Sequence, residues 1–531
     1  MSSPAAGSKR AVLALGIACG LAACAGSPRP ADVVVYASGT DLESANPITT
    51  IHPLSRQVQR HVLFVTLARY DSLLRPQPYL ARSWRWSADR RTLTLALHSG
   101  VRWHDGVPTS ARDVAFTLRV ARDPSSGFAR AADLAPIELA TATSDTNVEL
   151  RFTNPQRDIP AILCELPIIP EHLLRDVTPS AMRAHPFSTA PTGNGPFRFV
   201  HRAAGQSWTF ARNEDFPAEL GGPPVVRELV VAVVDEATTK FAGLAAGDLD
   251  FAGIGPTMAS LADRDPMIEV MDYPVLFSTA LVFNVQRTPF DDERVRRAVD
   301  LSLDRERIIS AALAGYATPA SGPVPPENPL HAPAGRLGGV ALADSLLDAA
   351  GWPRGGEGWR ARREPLRVEL LTVGSGDNAV EQLIQSDLAE RGIRVSVRQM
   401  EMAAFLTRVR AERKDFDLVV TGIPGDLSLG YLRSMYESAF RGGALDYSGF
   451  HSPALDAAFA QATRATTDVA QRAAWAQVQS ELGRRVPAAW IYHSRGLQGV
   501  SSRMRGVRMD LRGEMATVAQ WSVATGDSLR R

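Results

Sequence analysis

The amino-acid sequence predicts a mixed α/β protein that folds as two or three domains. The chain has 531 residues, which is more than a single hydrophobic core usually organises. With 45% hydrophobic and 22% charged residues, its composition is typical of globular proteins and excludes collagen-like, coiled-coil and wholly disordered chains. Segments with strand-like and helix-like patterns alternate along the chain without an internal repeat, and this alternation favours the α/β class.

The first element of the chain is an export signal. Lys9 and Arg10 precede thirteen residues, 11–23, drawn only from Ala, Val, Leu, Gly, Ile and Cys. A membrane span needs about 20 apolar residues, so a charged start followed by this shorter apolar run is typical of a signal peptide. The run ends in Leu21-Ala22-Ala23-Cys24, which resembles the bacterial lipoprotein box. The resemblance implies removal of residues 1–23 and lipidation of Cys24; the alternative is a plain signal peptide that contains a cysteine.

After the signal, the cysteines offer no disulfide. Cys19 would leave with the signal and Cys24 would carry the lipid, so Cys164 would remain alone. Cys164 lies in an apolar run, which predicts a small buried hydrophobic residue. The segment 24–30 is rich in Gly, Ser and Pro and predicts a short tether between the lipid and the folded protein.

Three segments of the first part of the chain show clear local patterns. Residues 33–37 form a continuous apolar run, which predicts a buried first strand. Leucines alternate with other residues over 92–98, so one face of a predicted strand carries Leu93, Leu95 and Leu97. A variant capping box follows, in which Ser110 stands three residues before Asp113 and predicts the start of a helix.

A later segment predicts two consecutive helices. Residues 294–303 place Val295, Ala298 and Val299 on one helical face and point the arginines elsewhere. Asp304 comes directly after this segment and predicts the N-cap of the next helix. Both features indicate scaffold and not a functional site.

The motifs of common enzymes and nucleotide-binding proteins are missing from the sequence. There is no Gly-x-Ser-x-Gly elbow, no Gly-x4-Gly-Lys phosphate loop and no Gly-x-Gly-x-x-Gly after a strand. The ten histidines and three cysteines show no zinc-ligand spacing. The 58 basic residues balance the 57 acidic ones, so the chain has no global field for nucleic acid. We therefore expect a binding protein that is not an enzyme and has no cofactor, no bound metal and no nucleic-acid partner.

A series of short phrases follows one order along the chain. The phrases are Leu80-Ala81-Arg82-Ser83-Trp84, His104-Asp105-Gly106, Gly193-Asn194-Gly195-Pro196-Phe197, Ala211-Arg212-Asn213-Glu214-Asp215-Phe216, Leu244-Ala245-Ala246-Gly247-Asp248-Leu249-Asp250, Phe283-Asn284, Pro289-Phe290-Asp291, Arg294-Val295-Arg296-Arg297-Ala298, Ala343 to Trp352 and Phe416-Asp417-Leu418. This series resembles family 5 of the extracytoplasmic solute-binding proteins, the large lipoproteins that feed dipeptide and oligopeptide ABC importers. The resemblance covers nearly all of the mature chain.

The resemblance implies a two-lobe fold like that of periplasmic binding proteins of type II, in the large form with an extra subdomain inserted in lobe I. Matched to the family, lobe I would comprise residues 31–60, 188–276 and 487–531. The inserted subdomain would span 61–187, and lobe II would span 277–486. Two crossing segments would act as a hinge, and a ligand that touches both lobes would stabilise the closed form.

One ligand-binding segment follows from the resemblance. Family members that bind peptides carry Gly-Trp-x-Ala-Asp after the strand that matches Phe416-Asp417-Leu418, and its Asp pairs with the α-ammonium of the ligand. This chain has Gly422-Ile423-Pro424-Gly425-Asp426 there, so Asp426 matches while Ile423 and Gly425 replace the Trp and the Ala. The resemblance implies that Asp426 contacts the ligand, with Gly422, Ile423 and Gly425 beside it. The alternative is that Asp426 caps the helix that begins near residue 429, and both roles are compatible.

Three aromatic residues are further candidates for the wall of the cleft. Phe277 lies on the first crossing, and Trp490 and Tyr492 lie on the return crossing. Aromatic side chains on apolar segments either line a cleft or pack in a core, and the sequence leaves both open.

The sequence thus predicts an extracytoplasmic binding protein anchored to a membrane by lipid at Cys24. We expect a monomer that carries peptides, or another small solute, to the permease and ATPase subunits of an ABC importer. A non-peptide solute such as a nickel chelate, haem or a sugar is the alternative on the same fold, as is a role as sensor or chaperone. A hydrolase on this scaffold is a further alternative.

Overall fold

The structure is a computed structural model that describes residues 30, 32–50, 52–332, 338–373 and 378–524. The predicted signal peptide, Cys24 and most of the predicted tether lie outside the described residues. Within those ranges, every helix is too short or too polar to cross a membrane.

Strands and helices alternate along the described chain, as the α/β class requires. The strands are β1 (Val33–Ser38), β2 (Ala68–Tyr70), β3 (Pro76–Pro78), β4 (Ala81–Trp86), β5 (Thr92–Leu97), β6 (Ile137–Ser144), β7 (Asn147–Phe152), β8 (Phe197–Ala203), β9 (Ser207–Arg212), β10 (Glu228–Val233), β11 (Phe251–Gly253), β12 (Ile268–Phe283), β13 (Ala317–Pro319), β14 (Arg367–Val373), β15 (Arg394–Met400), β16 (Leu418–Pro424), β17 (Ala488–Ser501), β18 (Met504–Arg505) and β19 (Ser522–Val523). The helices are α1 (Pro53–Val58), α2 (Ala111–Arg122), α3 (Ala131–Leu134), α4 (Ile162–Glu165), α5 (Glu171–Leu174), α6 (Ala237–Ala246), α7 (Pro256–Ala262), α8 (Glu293–Ser302), α9 (Arg305–Leu313), α10 (Val340–Ala349), α11 (Ala379–Glu390), α12 (Met402–Arg410), α13 (Gly430–Tyr436), α14 (Pro453–Arg464) and α15 (Asp468–Arg485).

One mixed sheet runs through the whole molecule. Its strand order is β15-β14-β16-β12-β17-β11-β1-β10-β9-β8, with β13 paired to β17. The two long antiparallel strands β12 and β17 lie in the middle and pass from one part of the protein to the other. Their pairing shifts register between Pro274 and Ser278 and again after Thr279, so the irregular stretch falls at the midpoint of the crossing. Of the described residues, we call those up to 274 together with 494–524 the first half, and those from 275 to 493 the second half.

A separate four-stranded sheet belongs to the first half. Its order is β4-β5-β7-β6, and α2 follows β5 in the chain. Leu93, Leu95 and Leu97 are buried as their alternation predicts. The predicted capping box is also confirmed. The backbone N–H of Ser110 donates to the Asp113 carboxylate at 2.7 Å, and the Ser110 side chain accepts the backbone N–H of Asp113, the N3 residue of α2.

Buried apolar side chains form separate cores in the two halves. The first half has a large core that extends from β1 through the four-stranded sheet to Trp521, and a smaller one around Leu244 and Ile254. In the second half, one core lies around Phe283, Val295 and α11, and another around Tyr436 and α15. Because each half has its own core, the two are held together mainly by the crossing strands and by contacts along their seam.

Most predicted local features are confirmed, with one correction. Cys164 is buried, and the Asp304 side chain accepts the backbone N–H of Arg307 as an N-cap. Val295 and Ala298 are buried on one face of α8. The prediction that the arginines of this helix point away from the core is wrong for Arg296, whose guanidinium is buried and donates to the carbonyl groups of Phe290 and Arg485 at 2.7 and 2.8 Å. Its role is still structural, since it satisfies chain carbonyls.

A buried histidine at the crossing makes the stability of the protein depend on pH. His493 on β17 hydrogen-bonds Ser278 on β12 at 2.7 Å, and burial lowers the pKa of His493 to about 4. Between pH 6.5 and about 4, the unfolded chain therefore binds a proton at this residue that the folded protein does not, so stability falls as the pH drops below 6.5.

We expect His493→Asn, which keeps a polar partner for Ser278, to lose less stability on acidification than the wild type. At pH 5 the difference due to this one group is about 2 kcal/mol. Urea unfolding of both proteins at pH 7 and pH 5 measures it. An equal loss for both proteins between the two pH values would contradict the assignment.

Candidate functional site

A cavity of about 180 Å³ lies between the two halves, beside the crossing strands. Its walls come from α1 and the C-terminal segment in the first half, and from the end of β16 in the second half. The lining includes Arg56, Arg60, Glu165, Tyr273, Phe277, Gly425, Asp426, Asp510 and Glu514. A cavity with walls from both halves is a place where a bound molecule would touch both.

The second-half wall is shaped by the pairing of β12 with β16. In this register Phe277 faces Pro424, and the ring of Phe277 lies against the α-carbon of Gly422, where any side chain would collide with it. The backbone N–H of Gly425 donates to the carbonyl of Leu276 at 2.8 Å and ties the end of β16 to the crossing. The predicted residues Gly422, Gly425 and Phe277 are therefore neighbours, and Phe277 and Gly425 line the cavity.

Asp426 follows this strand end and is 5% exposed. Its Oδ1 accepts the Ser428 hydroxyl at 2.6 Å and the backbone N–H of Gly430 at 2.9 Å. Its Oδ2 accepts the backbone N–H of Tyr431 at 3.0 Å. These contacts show the capping role at the start of α13. A carboxylate offers about four acceptor positions, so three donors leave Asp426 about one for a ligand.

A cluster of buried charges in the first half adjoins the cavity. The Arg130 guanidinium pairs with Asp133 at 2.5 Å and with Glu165, and Arg56 lies 3.8 Å from the same Glu165 carboxylate. Burial opposes the charge on Arg130, but the carboxylates of Glu165, Asp133 and Asp426 outweigh it and raise the Arg130 pKa. Burial raises the pKa of Asp133 to about 6, although Arg130 acts in the opposite direction.

This cluster reaches across the seam to the second half. The Nη2 of Arg130 lies 3.5 Å from the Ser428 hydroxyl, and Asp133 packs on the backbone of Gly430, where a β-carbon would have no room. Farther along the same seam, Arg157 pairs with Asp468 at the start of α15. The two halves thus meet through polar contacts, which water can replace when they separate.

A second cavity, of about 320 Å³, continues along the seam. Its first-half wall contains Asp133 and residues 156–162. Its second-half wall contains residues 328–330 and residues within 427–433. Leu427 lines both this cavity and the one beside the crossing strands. The space between the halves is therefore longer than the first cavity alone.

The C-terminal segment supplies the remaining wall. The Tyr273 hydroxyl donates to the Oε2 of Glu514 at 3.0 Å, and Tyr36 also hydrogen-bonds this carboxylate. The Tyr273 ring lies across Gly496 on β17, a position that only glycine leaves open. Burial raises the pKa of Glu514, and the two tyrosine hydroxyls offset part of the effect.

Three predicted wall residues lie elsewhere. The side chains of Ile423 and Trp490 pack in the core around Tyr436, and Tyr492 packs in the core around Phe283. None of the three lines the cavity. Ile423 precedes the cavity residue Pro424 on β16 and points to the other face of that strand. A register shift between Trp490 and Tyr492 on β17 sends these two side chains into different cores. The predicted contact of these three with a ligand is therefore not carried into the site proposed below.

Sequence reasoning missed several residues that line the cavity or adjoin it. They are Arg56, Arg60, Arg130, Glu165, Tyr273 and Glu514. They come from segments far apart in the chain and stand in no recognisable motif. A buried carboxylate such as Glu165 cannot be told from a surface one by its neighbours in sequence.

The side chains that line the cavity are suited to bind charged groups. Among the described residues, no three His, Cys, Asp or Glu side chains are placed to hold a metal ion together. Ser278 and His493 form a hydrogen bond at the crossing, but both are buried and neither lines the cavity. What the walls offer to a bound molecule is guanidinium groups, carboxylates, tyrosine hydroxyls and the ring of Phe277.

Comparisons with known proteins identify the family that the chain resembles. A model of the bacterial extracellular solute-binding proteins, family 5 Middle, matches residues 75–439. Protein XP55 of Streptomyces lividans is 26% identical over 524 residues, which cover 96% of this chain and 94% of that protein. Heme-binding protein A of Haemophilus influenzae is 26% identical over 464 residues and covers 81% of each chain.

Solved structures show the same fold. The oligopeptide-binding protein AppA from Bacillus subtilis, solved in complex with a nonapeptide, superposes with a TM-score of 0.81 at 21% sequence identity. The likeness covers 93% of this chain and 99% of that one. The predicted fold class, a two-lobe α/β fold like that of periplasmic binding proteins, is confirmed.

Proposed function

The chain belongs to the bacterial extracellular solute-binding proteins of family 5, and from this premise we propose that it captures short peptides between its lobes and delivers them to the permease of an ABC importer. The observation that carries the proposal is the cavity beside the crossing strands, which has walls from both halves and buried charges of both signs. A peptide with free ends carries an ammonium and a carboxylate, and Arg56 and Arg60 provide cationic partners for the latter. Backbone N–H and C=O groups at the end of β16 can form hydrogen bonds with the main chain of an extended peptide.

Capture would work by closure of the lobes. A ligand can shift the balance between open and closed forms only through contacts that differ between the two. In the closed arrangement one molecule in the cavity touches Arg56 on one side and Asp426 on the other, and such a bridge is lost on opening. We propose the predicted boundaries for the lobes, with lobe I at 31–60, 188–276 and 487–531, the inserted subdomain at 61–187 and lobe II at 277–486.

Small-angle scattering and mass spectrometry test this proposal together. Protein purified without denaturant is expected to retain short peptides, which mass spectrometry of the released ligand would identify. Adding such a peptide to emptied protein should reduce the radius of gyration. Retention of haem, a nickel chelate or a sugar would assign another solute, while no ligand and an unchanged scattering curve across a broad panel would rule out capture. Turnover of peptides or esters that a single Ser or His change abolishes would indicate a hydrolase.

We further propose that Asp426 contacts the ligand ammonium through its free acceptor position while it caps α13. Asp426→Asn is expected to weaken binding of a peptide with a free amine about 10-fold or more, because a charge-assisted hydrogen bond is lost in a water-poor site. The same peptide with an acetylated N-terminus should lose much less. Titration calorimetry of both peptides measures the difference. Equal losses would leave Asp426 with the capping role alone.

The proposed attachment to the membrane rests on the sequence of the export signal. Family membership places the protein outside the cytoplasm. We propose that Cys24 becomes the lipidated N-terminus, which with several acyl chains suffices for stable anchoring. Mass spectrometry of the N-terminal peptide from membranes would detect the lipid, and an unmodified N-terminus would indicate a plain signal peptide. Permease and ATPase genes beside this one would favour transport over a role as sensor or chaperone.

A further inference from the structure

The cavity beside the crossing strands has four acidic residues in its wall. Three of them already have strong partners. Glu165 pairs with Arg130, Asp510 pairs with Arg512 at 2.7 Å, and Asp426 accepts two backbone N–H groups and a hydroxyl. The fourth, Glu514, has a different environment.

Glu514 has hydroxyl partners and, among the described residues, no cation paired with it. Tyr273 donates to its Oε2, and Tyr36 hydrogen-bonds the same carboxylate. Its pKa is raised by burial, and neutral hydroxyls do not balance a full negative charge in a site of low dielectric. A partly buried carboxylate that lines a ligand cavity and has no cation paired with it among the described residues gains from a positively charged ligand group.

The requirements of an ammonium group point to the same residue. An ammonium has three N–H donors, and leaving any of them unpaired in a closed site is costly. Asp426 has about one acceptor position left after its capping contacts, so it cannot satisfy the ammonium alone. Glu514 lines the same cavity from the opposite half, and the Tyr273 hydroxyl beside it has a free lone pair.

The position of Glu514 is also well defined. Gly513, directly before it, has a φ of +119°, which other residues rarely adopt, and it packs on the Gln57 side chain. Tyr273 is held by β12 and β17 at the centre of the sheet. The carboxylate therefore stands at a fixed place on the first-half wall, supported by the crossing strands.

From these contacts we propose that Glu514 binds the ammonium group of the captured solute, together with Asp426 across the cavity. The assignment rests on the proposed function, since it names the residue that recognises one end of the ligand at the same site. It also explains why a ligand would favour the closed form, because only closure brings carboxylates of both halves to one cation.

The test compares Glu514→Gln with the wild type. Glutamine keeps the shape of the side chain and still accepts a hydrogen bond from Tyr273, so the cavity should be preserved. Asp510→Asn is the matched control, because it removes a wall carboxylate that Arg512 already neutralises. Thermal unfolding of each variant confirms that it is folded before binding is measured.

The probe is a mixture of di- to pentapeptides in three forms: free amine without Lys or Arg, N-acetylated without Lys or Arg, and N-acetylated with one Lys. Each protein is dialysed against the mixture, and mass spectrometry quantifies what it retains. We expect Glu514→Gln to lower the retention of free-amine peptides about 10-fold or more relative to the acetylated ones, and Asp510→Asn to leave the ratio unchanged. A selective loss of the acetylated Lys peptides would support the same carboxylate–ammonium contact, with a side chain as the source.

Two outcomes would overturn the assignment, and they differ from each other. If the wild type retains peptides and Glu514→Gln keeps the wild-type ratio among the three forms, Glu514 does not bind the ammonium although peptide capture stands. If the wild type retains no peptide of any form, the proposed function itself fails and the assignment fails with it.

Discussion

Replacing Arg130 with methionine is expected to lower the free energy of unfolding by about 3 to 5 kcal/mol. Arg130 is the cation of a cluster that contains Asp133 and Glu165, and the side chains of these two acids are only 10% and 3% exposed. Methionine fills a similar volume but leaves Asp133 buried without its paired cation, while Arg56, 3.8 Å away, stays as a weaker partner of Glu165. The cost of an uncompensated buried charge is much larger than the net value of the pair itself.

The Arg130 cluster also lies on the seam, so this variant should affect more than stability. The Arg130 guanidinium lies 3.5 Å from the Ser428 hydroxyl, and its positive charge attracts the Asp426 carboxylate in the other half. We expect urea denaturation to show a large drop in the midpoint, and scattering of the folded variant to show a more open average shape.

Arg151→Met is the control for the Arg130 variant. Arg151 pairs with Glu138 at 3.0 Å, but the two side chains are 55% and 49% exposed. Water already solvates such a pair, so its loss should cost less than about 1 kcal/mol. Equal effects of the two substitutions would show that the Arg130 cluster is not buried as described.

Gly195→Ala is expected to destabilise the protein by about 2 to 4 kcal/mol. A β-carbon at residue 195 would lie 2.6 Å from the carbonyl carbon of Leu63 and 2.7 Å from the backbone nitrogen of Phe64. These are backbone atoms, which cannot rotate away as a side chain can. The backbone N–H groups of Asn194 and Gly195 both donate to the Leu63 carbonyl, and separating the two segments would weaken these hydrogen bonds.

Gly100→Ala provides the comparison for this position. Gly100 lies in the turn after β5, where an added β-carbon meets no atom within 4 Å. We expect a change within about 1 kcal/mol in either direction, since alanine also restricts the unfolded chain. Thermal unfolding of both variants separates the two cases. A Gly195→Ala protein as stable as Gly100→Ala would mean that the close approach of residues 63–64 does not exist.

The fold was largely predictable because its signals are local or are repeated along the chain. The apolar run at 33–37 became β1, the alternating leucines became β5, and Ser110 with Asp113 formed the capping box of α2. The Gly193-Asn194-Gly195 phrase was recognised as part of a family series, and the structure gives its physical reason in the approach of Leu63.

The candidate site was predictable only in part. Phe277, Gly425 and Asp426 line the cavity, and helix capping was one of the two roles predicted for Asp426. Ile423, Trp490 and Tyr492 were grouped with them by position in the chain, but their side chains belong to the cores of the second half. Sequence order does not say which face of a strand meets the cleft once register shifts intervene, as they do in β12 after Pro274.

By itself the sequence determined the α/β class, the absence of common enzyme motifs and the resemblance to a binding-protein family, and it predicts an export signal. Periodicity, capping and short motifs depend on residues that are neighbours in the chain, and these can be seen without a structure. Only the tertiary structure decided that Arg56, Glu165, Tyr273 and Glu514 meet Asp426 around one cavity. The reason is that burial and the pairing of charges depend on distances between remote segments, which the folded sheet sets and the order of residues does not state.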